Sequence, residues 1–476
     1  MRAHRNVLAA ATSVVTLFGC AVGPHYHQPT TASGAGDAWV SLPQVKASTE
    51  QPPDEWWVLY RDPRLDQLVH EAFVANTDLR AAEANLAGAR AILEGARAGR
   101  YPDTAVKLGA IRGRDAGTDE ILEITGHRPA TIWVFDAVFD MSYEVDLFGH
   151  VRRSIEAASA DAEAVAAARD AVRITVAAET TRAYAQICAL GEALAVANHS
   201  LDVVRREAEI TVNRHDAGAN SEFDVVRAQG LVAQVQAGIP PLEGQRRAAL
   251  FQLAALLGRT PTHAPNETLG CLFPPQLTEL LPAGDGAALL KRRPDIRLAE
   301  RRLASATARI GVATAALYPR ITLNGFIGGV GSHLNDLAAN EGATWGLGPR
   351  IAWEFPNQAA PRARIRQARA GARAALDQFD GAVLQSLKET EQALSSYASE
   401  LDRRRALGEA QQEAQRAFDM AHEQFLAGSL SSLDLLTSEQ SLVASAAAVA
   451  TSDAALVQDQ IAVFKALGGG WEPPPN

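Results

Sequence analysis

Ala217-Gly218-Ala219-Asn220-Ser221-Glu222-Phe223-Asp224 and Ala427-Gly428-Ser429-Leu430-Ser431-Ser432-Leu433-Asp434 are one motif written twice, 210 residues apart. The same offset joins Glu179 to Glu389, Ala183 to Ala393 and Leu257-Gly258 to Leu467-Gly468. Upstream, an offset of 217 joins Asp78 to Asp295, Arg80 to Arg297, Glu83 to Glu300, Leu86 to Leu303 and Tyr101-Pro102 to Tyr318-Pro319. Residues 76–258 and 293–468 are therefore two copies of one long unit. The period is far longer than that of a solenoid. A duplicated half suits a symmetric object, a pore or scaffold, before it suits an active site.

Working outward from the motif, each Ala-Gly closes a very long helical stretch, roughly 152–215 and 362–425, dominated by alanine. At ~1.5 Å per residue, sixty-odd residues extend about 95 Å, which no compact globule needs. Glycine takes the left-handed conformation that ends a helix. The serines that follow (Ser221; Ser431 and Ser432) open a returning helix that runs to Gly258 or Gly468. Each copy begins with a helical stretch, from about Pro63 to Ala98 and from about Gly284 to Ala316, stopped by Tyr-Pro.

Between these helices the periodicity changes to two. Residues 131–143 place Trp133, Phe135, Ala137, Phe139, Met141 and Tyr143 on one face, with Asp136, Asp140 and Ser142 on the other. Residues 344–353 set Trp345, Leu347, Ile351 and Trp353 against Gly346, Gly348, Arg350 and Ala352. Residues 103–112 and 320–330 are paler versions, and 113–130 and 331–343 read as polar, Gly-rich loops. Ten-residue alternating segments with aromatic ends fit strands of a membrane β-barrel, or else soluble hairpins with one core face. Four strands cannot close a barrel and an open edge cannot sit in lipid, so membrane strands would have to be pooled among several chains. Three chains would give twelve.

Composition excludes other classes. Of 476 residues, 45 are Lys or Arg and 55 are Asp or Glu, a net charge of −10 that speaks against a nucleic-acid partner. Beyond the first twenty residues no uninterrupted apolar run approaches ~20 residues, so no transmembrane helix is expected. There is no P-loop, G-x-S-x-G, HExxH or dinucleotide fingerprint, and an enzyme is not expected. No cofactor or metal site is expected either. His25 and His27 read as solvated linker. Only Met1, Met141 and Met420 are methionines, which disfavours a soft-metal route. Arg2, His4 and Arg5, then an apolar run from Val7 to Phe18, then Gly19-Cys20, read as a lipoprotein signal peptide over 1–19 with Cys20 as the lipidated residue. Acyl chains contribute roughly 0.8 kcal/mol per buried CH₂, so a multiply acylated cysteine is a firm anchor. Ala21, in place of an aspartate, favours delivery to the outer membrane. Cys188 and Cys271 could pair in an oxidising compartment; without a CxxC or a His/Cys cluster, two isolated, partly buried thiols are expected.

The expected organisation is a signal peptide (1–19), an extended anchored segment (20–62), a first repeat (63–258), a Pro-rich linker (259–284), a second repeat (285–468) and a tail (469–476).

Several stretches in this order carry a resemblance to a known family. They are Cys20-Ala21-Val22-Gly23-Pro24-His25-Tyr26 with Pro29; Tyr143-Glu144-Val145-Asp146-Leu147-Phe148-Gly149; Arg293-Pro294-Asp295-Ile296 with Ala299-Glu300; and Phe464-Lys465-Ala466-Leu467-Gly468-Gly469-Gly470-Trp471. Together they resemble outer-membrane efflux lipoproteins of the NodT/OprM type, relatives of TolC. The resemblance implies an α+β membrane protein, a homotrimer with a twelve-stranded outer-membrane β-barrel continuing into a long α-helical barrel in the periplasm. It implies the exit duct of a tripartite pump, joined to a periplasmic adaptor protein and an inner-membrane transporter, commonly of the RND class, and passing drugs or other toxic small molecules.

By the same resemblance the tip turns at Gly218 and Gly428 lie at the periplasmic end, and a constriction lies just past the second. Leu433 and Asp434 match it, Thr437 stands where relatives often carry a second aspartate, and Gln440 where some carry arginine. Three Asp434 side chains around a narrow axis would repel one another and attract cations; a helix cap or a solvated charge is the competing reading. The acidic balance suggests a cation-preferring duct. A non-conducting trimeric coiled-coil scaffold or adhesin stalk is the alternative function.

Overall fold

A computed structural model describes residues 21–31, 33–41, 43, 47–113, 131–277 and 280–469. The elements run β1 (Ala47–Ser48), α1 (Pro63–Ala75), α2 (Thr77–Ala98), β2 (Asp103–Gly113), β3 (Ile132–Glu144), α3 (His150–Asp216), α4 (Glu222–Ala237) and α5 (Ile239–Leu256). After the linker come β4 (Leu281–Pro282), α6 (Gly286–Arg292), α7 (Pro294–Ala315), β5 (Arg320–Gly331), β6 (Ala343–Ala352), α8 (Ala359–Leu426) and α9 (Ser432–Ala466). The described residues divide into two units, one within 1–29, 87–165 and 299–379, the other within 30–86, 166–298 and 380–476. Cys20 and most of the 113–130 loop lie outside the described residues.

The first unit holds a four-stranded antiparallel sheet in the order β2-β3-β5-β6. Its register sorts the side chains. Val106, Phe139, Ile327 and Trp345 form one continuous cross-strand row, and Met141 and Leu347 flank Gly325 in the next row on that face. The opposite face carries Lys107, Asp136, Asp140, Ser142, Glu144, Thr322, Asn324 and Arg350. Alternation in the sequence thus becomes one oily face and one wet one. Between β5 and β6, where a loop is expected, Leu334–Ala338 forms a 3₁₀ turn.

The motif that follows β3 works as a joint in the same unit. Asp146 accepts the backbone N–H groups of Val151 and Arg152 at 3.1 and 2.9 Å, capping the start of α3. Glu144 meets both His150 and Arg320 at 3.1 Å. The N-terminal motif is strapped alongside: Arg153, almost wholly buried, donates to the carbonyls of Val22 and Gly23, and Tyr26 donates to Glu300 at 2.9 Å. Gly23 has φ +93°, and a Cβ there would lie 2.5 Å from the Cα of Gly311. Only glycine satisfies both demands.

The second unit has the larger apolar core. Trp56 stacks on Phe464 at 4.8 Å, beside Trp57, Leu65, Ile187, Leu253 and Ile461. The segment before α1 is therefore more than an extended strap: Trp56–Tyr60 is a 3₁₀ turn whose tryptophans are fully buried, and β1 pairs in parallel with β4. Two family-like motifs meet here. Arg293 donates to the carbonyl of Ala466 at 2.9 Å and forms ion pairs with Asp295 (2.6 Å) and Glu389 (2.8 Å), while Gly468 leaves room for its side chain.

Several expectations are corrected. Cys188 and Cys271 form a disulfide, not two free thiols; Arg246, donating to the carbonyls of Ile187, Leu269 and Cys271, brings the linker onto α3. The opening helix of each copy is broken, at Asn76 and at Arg293, because each break supplies a polar group to the end of a returning helix. The first returning helix breaks at Gly238, just before Pro240 and Pro241, which lack the N–H groups that a continuous helix would use. Apart from these corrections, α3 and α9 each have enough apolar character by length and composition to pass for a membrane span, which does not by itself make either one a span. Alanine, scattered among polar residues, supplies it, so no uninterrupted apolar run flags it.

Candidate functional site at the helix turns

Both long helices end in the same way. The N–H of Ala219 bonds to the carbonyl of Arg214 (2.8 Å) and that of Gly218 to His215 (2.7 Å); Ser429 bonds to Gln424 (2.9 Å) and Gly428 to Phe425 (3.0 Å). These are paired Schellman closures, with φ +76° at Gly218 and +75° at Gly428. Each returning helix then opens on a serine cap. Ser221 Oγ accepts from the Asp224 N–H and Ser431 Oγ from the Asp434 N–H, at 3.3 and 3.2 Å. The two hairpins hold one another: Arg214 donates to the carbonyl of Phe425 and lies over its ring at 4.3 Å, and Asn220 donates to Ser432.

Leu433, Thr437 and Gln440 fall on one exposed stripe at the start of α9, with Asp434 beside them. Leu433 is 47% exposed. The Asp434 carboxylate is exposed but accepts the Ser431 hydroxyl at 2.6 Å, so it also serves as a helix-cap partner. Thr437 returns its hydroxyl to the carbonyl of Leu433 at 2.8 Å. Sequence reading passed over a neighbouring group. Glu439 points away from that stripe into a small space with Glu207 of α3, and His422 of α8 stands 3.0 Å from Glu207. Its signal was available: Leu435 and Glu439 are four apart, so a carboxyl falls on an apolar face at helical spacing.

At the strands, the polar sheet face is knitted by Lys107 to Asp140 at 2.9 Å, Arg320 to Glu144 at 3.1 Å and Ser142 to Asn324 at 2.9 Å. The apolar face is bare, with Leu108 and Trp345 each 77% exposed. This sheet can present oil on one side and an ion-paired, wettable wall on the other.

Known proteins share this arrangement. The family described as outer membrane efflux protein matches twice, over residues 68–259 and 287–469. The pyoverdine export outer membrane protein OpmQ of Pseudomonas aeruginosa is 32% identical over 427 residues, covering 88% of each chain. Nodulation protein T of Rhizobium leguminosarum bv. trifolii is 28% identical over 458 residues, covering 96% of each. A solved structure of the outer-membrane channel OprN superposes with a TM-score of 0.88 at 33% identity, over 95% of this chain and 100% of that one. The duplicated helical hairpins, the four-stranded sheet with one oily face and the matches along both repeats lead to one conclusion: this chain belongs to the outer membrane efflux protein family.

Proposed function

We propose that three copies of this chain pool their strands into a twelve-stranded outer-membrane barrel, that their helices continue it as a periplasmic tunnel, and that this duct receives cargo from a periplasmic adaptor and an inner-membrane transporter of the RND class. One observation carries the reading: the four-stranded sheet ends in two outer strands, β2 and β6, and exposes a continuous apolar face. Unpaired backbone groups are costly in lipid, and closure with neighbouring copies satisfies them. In this reading the strands cross the membrane and α3, α4, α8 and α9 stand outside it. The duct conducts rather than catalyses.

The OpmQ relatives, named for pyoverdine export, support small organic cargo, with selection left to the transporter. Cys20 carries the acyl anchor, and the strap of Val22, Gly23 and Tyr26 lies immediately after it. Leu433, Asp434, Thr437 and Gln440 line the aperture at the hairpin turns, and acidic Asp434 makes the duct cation-preferring.

Single-channel recording of the lipidated protein tests this. Wild type should give small, mostly closed currents from a trimer, and Asp434→Ala larger ones. Open currents unchanged by the substitution would move the aperture elsewhere, anion selectivity would end the cation preference, and a trimer that never conducts would favour a scaffold. Failure of palmitate to label the wild type, with Cys20→Ala as control, would remove the anchor.

A further inference from the structure

The conduit reading leaves three titratable side chains unused, and they meet between the two hairpins. Glu439 is 2% exposed, and its Oε1 has no hydrogen-bond partner among the described residues. Glu207 is 7% exposed, with Oε2 likewise unpartnered and Oε1 3.0 Å from Nδ1 of His422. Both carboxyl groups border a cavity of about 20 Å³, room for a single water, lined also by Val204, Thr211, Arg227, Leu231 and Leu435.

Among the described residues Glu439 has no ion-pair partner, and His422 is the one side chain at ion-pair distance from Glu207. From α3, Arg206 acts on Glu207 alongside His422 of α8. From α4, Asp224 and Arg227 also line the cavity; Asp224 is engaged by Ser221, and Arg227 lies over the Phe223 ring at 5.5 Å. Within α9 itself Asp434 is engaged by Ser431. One carboxylate can be matched by His422; a second, buried beside it, repels it and loses its water. Burial, and then Glu207, push Glu439 up to about 7. Burial also raises Glu207, against the pull of His422.

We propose that Glu439, Glu207 and His422 form a proton-dependent latch that holds the first helical hairpin against the second at the aperture of the duct. With Glu439 protonated, the cluster holds one carboxylate, 3.0 Å from His422, and one neutral acid, and the hairpins close over it. When Glu439 ionises, two carboxylates share a cavity with room for one water, and separation of the hairpins lets more water reach them. The sign follows from linkage. The closed arrangement raises the acid's affinity for its proton, so closure is favoured below the ordinary carboxylate range and the preference is lost as pH rises through about 7. The latch rests on the proposed aperture at this end.

The test is open probability of the full-length lipidated protein in planar bilayers at about pH 6 and about pH 8, where one site titrating between them changes closure on the order of tenfold. Wild type should open about tenfold more often at the higher pH. Glu439→Gln, a neutral isostere, should stay closed at both. Glu207→Gln removes the repulsion and should move the response to lower pH. A wild-type pH response surviving in Glu439→Gln would overturn the latch, as would a Glu439→Gln duct open at both pH values. Asp434→Ala is the control for the aperture: silence of every variant, this one included, would fail the aperture reading, whereas a conducting Asp434→Ala with a pH-blind wild type would fail the latch alone.

Discussion

Asn76 and Arg293 stand 217 residues apart, at the same place in the two repeats, and do the same work with different chemistry. Asn76 accepts the N–H groups of Asp78 and Leu79, both at 3.0 Å, and donates to the carbonyl of Leu256 at 3.1 Å. Arg293 donates to the carbonyl of Ala466, the counterpart of Leu256, and the helix after it starts at Pro294, which has no N–H to cap. What duplication preserved is a requirement, a donor aimed at the last turn of the returning helix, and not a residue. The repeats differ elsewhere too. The first is stapled by Cys188–Cys271, where the second has Ala398 opposite Cys188, and the first returning helix is broken while the second runs unbroken for 35 residues.

These differences can be tested by removing them. The largest expected effect is loss of the disulfide: Cys188→Ser or Cys271→Ser should lower the unfolding midpoint of the detergent-solubilised protein by the equivalent of about 4.5 kcal/mol, since the bridge closes 83 residues of chain. Reductant should reproduce the shift in the wild type and add nothing to the variant. Next is Arg293→Ala, at about 2 kcal/mol, because it strands Asp295 and Glu389; their solvent exposure keeps the cost below that of a fully buried pair. Asn76→Ala should cost about 1 kcal/mol as a lost cap. An equal loss at both sites would mean that the bond to the returning helix, and not the ion pairs, dominates at Arg293.

Smaller effects probe what the repeats share. Gly218→Ala and Gly428→Ala should each cost about 1 kcal/mol, because φ is positive while no atom lies within 4 Å of the added methyl group. Unequal losses would show that one turn relaxes and the other does not. Least of all, Ser221→Ala and Ser431→Ala should each cost about 0.5–1 kcal/mol by the same measurement; only Ser431→Ala should also change conductance, because it frees Asp434.

The strands and long helices were legible because their periods of 2 and 3.6 run uninterrupted over many residues, and the helix ends because Gly218, Gly258, Gly428 and Gly468 mark them. The breaks at Asn76 and Arg293 were not. Nothing local distinguishes an asparagine that caps a distant carbonyl from one on a helix surface. The disulfide was hidden for a related reason: 83 residues of separation say nothing of two sulfurs brought together by Arg246 and the linker. At the turns, Asp434 stands out by its position in the repeat, whereas Glu439 is marked only by its helical spacing from Leu435, a faint signal that its burial makes plain.

The cross-strand row Val106, Phe139, Ile327 and Trp345 constrains how this chain can change length. Loss of one residue from β3 or β5 would turn every later side chain of that strand to the other face, sending Asp140 or Asn324 toward lipid and Phe139 or Ile327 toward water. Two residues lost together would preserve the faces and shorten the strand. Lineages carrying such sheets should therefore gain and lose strand residues in even numbers, while the loops beyond them drift freely by ones.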